Sequence, residues 1–107
     1  MTPPFRMRGL DHIVLRVADL PRMLAFYHEV LGCTDERAQP ELGLFQLRAG
    51  ASLIDLVTLD GKLGARGGAA PGAEGRNLDH FPLAIDPFDP GGLGTHLAAH
   101  QVEIIGK

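Results

Sequence analysis

Three side chains in this sequence have the types and placement to hold a metal ion: His12, Asp55 and His80. The two histidines sit in matching surroundings. Gly9-Leu10-Asp11-His12-Ile13-Val14-Leu15-Arg16-Val17 is echoed by Asn77-Leu78-Asp79-His80-Phe81-Pro82-Leu83-Ala84-Ile85, and the interval from His12 to His80 is 68 residues. Leu-Asp-His opens an alternating apolar run both times, so the chain reads as an internal duplication. Imidazole nitrogen and carboxylate oxygen together suit Zn, Fe, Mn, Ni or Co. Two histidines and one carboxylate also resemble the open triad used for oxygen chemistry on Fe(II). No local pattern such as His-Glu-x-x-His is present. The set rests on symmetry and strand parity.

For these groups to converge, strands must present them on one face. Residues 10–17 read as a strand. Ile13, Leu15 and Val17 form its apolar face, and His12, Val14 and Arg16 form a mixed face suited to line a cavity. Asp19 is a good N-cap for a helix over 20–31, with Pro21 in its first turn. Leu20, Met23, Leu24, Tyr27 and Leu31 recur at helical spacing as a buried stripe, which Phe26 and Val30 widen. Gly32 ends it. Residues 44–49 and 52–58 read as strands around a turn at Gly50-Ala51. Asp55 shares parity with Leu53 and Val57, so it faces something other than bulk water. The stretch 36–42 carries no clear signal.

The first module thus spans residues 9–59, and a Gly/Ala-rich linker follows at 60–76. That linker lacks the Gly-Lys-Ser/Thr ending of a phosphate-cradling loop. The start of a second module occupies 77–107. Its strand opens at Leu78, with Phe81, Leu83 and Ile85 on the apolar face. Asp86 to Pro90 is a loop. A short helix carries Leu93, His96, Leu97 and His100, weakened at its start by Gly91, Gly92 and Gly94. Val102 to Ile105 reads as a strand start.

The bulk numbers narrow the function. The chain has 107 residues, a net charge of −3 and a pI near 5.9. With no basic stripe, nucleic acid is not an expected partner. No apolar run reaches the roughly 18 residues needed to span a membrane. The N-terminus lacks the apolar core of a signal peptide. A single cysteine, Cys33, cannot form an internal disulfide, which suits a reducing cytoplasm. It follows a helix C-terminus, where the dipole disfavours a thiolate, so it is no expected nucleophile. Asp11 and Asp79 read as structural residues on the opposite side of their strands. Arg16 and Arg48 are candidates for a substrate carboxylate or for the surface. His28, His96 and His100 have no symmetric partners and read as solvent-facing.

Leu10 to Leu20, followed by Phe26-Tyr27-His28-Glu29-Val30-Leu31-Gly32, resembles the opening of the vicinal oxygen chelate superfamily. This is the glyoxalase, bleomycin-resistance and extradiol-dioxygenase group. Asn77 to Ile85 resembles the start of its second module. The resemblance implies an α+β fold of paired βαβββ modules around one cavity, the second module incomplete here. It implies His12, Asp55 and His80 as ligands of a divalent metal, with Asp55 also the catalytic candidate. Asp55 stands where Glu or Gln is usual, one methylene shorter. The fourth ligand position would fall beyond Lys107, so a truncated form or a partner chain supplying the missing strands is expected. The implied function is chelation of adjacent oxygens on a small-molecule substrate, by a lyase of the lactoylglutathione lyase type or a dioxygenase. The alternative is a metal-free drug-binding protein of the bleomycin-resistance type. A homodimer, with strands swapped between chains, is the expected assembly.

Overall fold

The computed structural model describes residues 2–76 and 78–105. Asn77, the first residue of the second copy, lies outside that range, as do the last two residues. One mixed sheet carries the fold. β1 (His12–Val17), β2 (Thr34–Gln39), β3 (Leu44–Ala49) and β4 (Ser52–Thr58) pair in the order β1-β4-β3-β2. β1 runs parallel to β4, while β3 is antiparallel to both of its neighbours. The parallel pair needs a long crossover. α1 (Leu20–Ala25) opens that crossover.

The strand parity read from the sequence decides which face is covered. Ile13 pairs with Ile54 and Leu15 with Leu56, and Leu47 lies across from Ile54. Leu15, Val17, Tyr27, Cys33, Leu47, Ile54 and Leu56 form the core cluster, with Leu20, Met23, Leu24 and Phe26 packed against it. Tyr27 and Phe26 meet edge to face at 5.2 Å. Burial also pushes the Cys33 thiol above its ordinary range, in keeping with an inert structural cysteine.

The helix starts as expected: Asp19 Oδ1 accepts from the Arg22 backbone N–H at 3.1 Å. It does not continue as one α-helix to residue 31. From Phe26 to Val30 the turns widen to π-helical geometry before Gly32 takes a φ of 72°. Residues 34–39, within and beside the stretch that had no clear signal, form β2, and its register with β3 is irregular between Asp35 and Arg37. The Gly50 turn is present, with Ala49 opposite Ser52.

The second copy departs from its sequence reading. Residues 78–85 and 102–105 join no strand ladder, and only α2 (Pro90–Ala99) is regular. The physical reason is pairing. β1 becomes a strand because β4 arrives some forty residues later. Among the described residues no strand pairs with the second copy in the way β4 pairs with β1. Its alternating apolar pattern is intact, but a strand needs a ladder as well as a pattern.

Leu56 is fully buried at the centre of the covered face. Replacing Leu56 with Ala should cost about 2–5 kcal/mol of stability. Urea unfolding of the two proteins checks this, and a loss within experimental error would mean that the sheet does not pack as described.

Candidate metal centre

Parallel pairing of β1 with β4 places His12 and Asp55 on the same face, opposite the helix. His12 pairs with Leu53 and Val14 with Asp55, so the imidazole reaches across one position along the strand. His12 Nε2 stands 3.7 Å from Asp55 Oδ2. That is too long for a hydrogen bond and close enough for charge to matter.

Asp55 is only 5% exposed, on the central strand, with buried Val57 and Leu44 on its own face. Its Oδ1 is buried with no hydrogen-bond partner. A carboxylate oxygen in that condition is costly unless something positive meets it. This orphaned oxygen is the observation against which a metal can be judged. Together with a histidine nitrogen, the carboxylate offers two of the donors that a divalent ion takes.

His12 is held from its other side. Asp11 Oδ2 lies 2.9 Å from His12 Nδ1. A carboxylate only accepts, so Nδ1 carries a proton, and in the neutral ring Nε2 is then the nitrogen with the lone pair, on the side of Asp55 Oδ2. The second copy repeats the contact, with Asp79 Oδ2 at 2.6 Å from His80 Nδ1. The sequence reading takes both aspartates as structural and places them across the strand from the histidines, whereas each meets its neighbouring imidazole. Asp11 precedes the first paired residue of β1, so strand alternation does not bind its side chain to the far face. The available signal was the Asp-His doublet occurring twice.

The structure brings His12 and Asp55 together and does not bring His80 to them. Among the described residues no three His, Cys, Asp or Glu side chains form a group that could hold a metal. His80 lines a different cavity, of about 450 Å³, with Leu15, Pro71, Arg76 and Phe81. Phe81 explains this placement, because it packs against the core cluster on the helix side of the sheet. Phe81 to Leu83 also close a cleft of about 230 Å³ with Leu10, His12, Ile13 and Leu53. The second copy therefore lies beside the start of β1 without pairing to it.

The remaining polar candidates are committed elsewhere. Arg16 donates from Nε to the Gly64 carbonyl at 2.9 Å. Its two terminal nitrogens reach Gly67, Ala69 and Gly68 at 3.1, 2.9 and 3.0 Å. A Cβ at Gly67 would overlap this guanidinium. Arg16 thus pins the linker over its end of the mixed face. Arg48 pairs with Glu36 at 3.2 Å. His28 meets Asp35 at 2.7 Å, and His96 Nε2 meets the Val30 carbonyl at the same distance, so neither simply faces solvent.

A profile of the Glyoxalase/Bleomycin resistance protein/Dioxygenase superfamily matches residues 9–107. The chain belongs to that superfamily. No curated protein sequence matches it. An integron cassette protein from the mobile metagenome of V. Cholerae, VCH_CASS1, superposes with a TM-score of 0.66 at 26% identity, over 96% of this chain and 75% of that one. Virulence protein STM3117 from Salmonella typhimurium gives 0.69 at 21% identity, over 96% and 76%. The fosfomycin resistance protein FosX from Listeria monocytogenes, complexed with Mn(II) and sulfate ion, gives 0.68 at 17% identity, over 95% and 71%. At the last two identities the likeness is one of fold.

Two outcomes follow from the site. The Asp11 hydrogen bond, and after it the negative charge of Asp55, holds the His12 imidazole above the usual histidine value of 6.5. A proton NMR titration of the metal-free protein should place His12 above 6.5, and Asp11→Asn should bring it down. A His12 value unchanged by that substitution would contradict the contact. Separately, Arg16→Ala should release the linker. Limited proteolysis should then cut between residues 60 and 76 several-fold faster, while equal cutting rates would show that the linker has another anchor.

Proposed function

We propose that this chain is a divalent-metal protein that chelates adjacent oxygens of a small-molecule substrate, in the manner of a glyoxalase-type lyase or a dioxygenase. His12 and Asp55 would hold the metal, with His80 as the third ligand and Asp55 as the catalytic candidate. The single observation that supports this is the buried Asp55 carboxylate, whose Oδ1 has no hydrogen-bond partner and whose Oδ2 lies 3.7 Å from His12 Nε2. That one relative of this fold was solved with Mn(II) agrees in kind. Imidazole and carboxylate donors suit Zn, Fe, Mn, Ni or Co.

A bound divalent metal would supply Lewis acidity to the substrate's adjacent oxygens. The chain's own residues do the rest. Asp11 fixes the His12 tautomer and ring orientation. The Val57 and Leu44 side chains keep water from the Asp55 carboxylate and lower the local dielectric. Val14, half exposed between the two polar groups, offers apolar contact to the carbon frame of a small ligand.

His80 reaches this centre in the proposal only when residues 78–85 become a strand, and a second copy of the chain is the source of the missing ladder. Leu78, Leu83 and Ile85 are exposed in the single chain and keep the strand alternation. Metal analysis of purified protein should therefore find about one divalent ion per chain in a dimer. His12→Ala and His80→Ala should each reduce that content by at least about tenfold. Wild-type protein without stoichiometric metal would end the proposal. Ligand binding that EDTA leaves unchanged would favour the drug-binding alternative.

A further inference from the structure

We propose a second metal site on α2, held by His96 and His100. It is separate from the centre built on His12 and Asp55, and does not rest on it. The two residues are four apart at the end of the helix, so their side chains share one face. Their ring centroids are 4.8 Å apart, with the planes inclined by 62°.

That spacing is the one a shared ion needs. A metal–imidazole bond is about 2.0–2.1 Å, and the ring centre lies about 1.1 Å beyond the bound nitrogen. Two imidazoles in neighbouring positions of a tetrahedral or octahedral ion then have centres about 4.5–5.2 Å apart.

The second observation is the state of His96. Its Nε2 lies 2.7 Å from the Val30 carbonyl oxygen. A carbonyl only accepts, so Nε2 carries the proton and Nδ1 keeps the lone pair. Metal-bound histidines almost always donate their other ring N–H in this way. His100 is anchored too, its backbone N–H reaching the His96 and Leu97 carbonyls. Both side chains are exposed, which leaves room for water ligands. The helix C-terminus adds a negative field that favours a cation.

Two imidazoles and water select a borderline divalent ion, with Cu(II) bound most tightly among the first-row metals. Occupancy would do more than decorate the surface. His96 bridges α2 to the end of the π-helical turn in the first module, so an ion on Nδ1 would lock the ring that makes this bridge.

The test is a Cu(II) titration followed by calorimetry and electron paramagnetic resonance. It uses the full chain carrying His12→Ala and His80→Ala, which removes the histidines of the other centre. This protein should bind one Cu(II) through two nitrogens. Adding His100→Ala should weaken binding at least about tenfold and leave a single histidine coupling, because the second donor acts intramolecularly. Adding His96→Gln instead should do the same. Circular dichroism of each variant confirms that α2 is retained. Unchanged affinity after removing either histidine, or no Cu(II) binding before it, would overturn the proposal.

Discussion

A carboxylate buried beside a histidine is the constraint on which the rest of this molecule turns. Asp55 sits in the central strand with almost no solvent contact and an oxygen without a hydrogen bond. Nothing in the core demands it: Ile54 and Leu56, its sequence neighbours, already fill the helix-covered face. A leucine or valine at position 55 would bury more apolar surface at less cost. A residue that opposes stability at such a place is better explained by binding than by packing.

The surrounding architecture makes sense from that point. The parallel β1–β4 pair sets His12 and Asp55 on one face, and the crossover through α1 is what lets two parallel strands meet. Asp11 orients the imidazole from behind. Arg16, two turns of the pleat further along the same face, uses its guanidinium to hold the linker. The mixed face is thus partitioned. Its His12 end carries the donor groups, and its Arg16 end is closed by backbone.

Much of the first module was legible in the sequence, because its local signals agree with its tertiary needs. Alternation in residues 12–17 and 52–58, the Asp19 cap and the Gly32 stop each announce what the fold then uses. The parity of Asp55 with Leu53 and Val57 was enough to remove it from bulk water. Three things were not legible. The π-helical turn at Phe26–Val30 carries the buried Tyr27, and helical spacing does not encode that widening. The aspartate–histidine contacts depend on a residue just outside the ladder. The second copy has a strand's pattern without a strand's partner, and pattern alone cannot reveal that difference. Phe81 then finds the nearest apolar surface, and His80 goes with it.

The sharpest test of the account is the stability of Asp55→Asn compared with the wild type, measured by denaturant unfolding with and without a divalent ion. If Asp55 is kept for a cation, the near-isosteric amide should leave the EDTA-treated protein at least as stable as the wild type. Added Mn(II) should then stabilise the wild type and not the variant. A wild type that is clearly the more stable protein in EDTA, and that gains nothing from the ion, would show instead that Asp55 serves the fold alone.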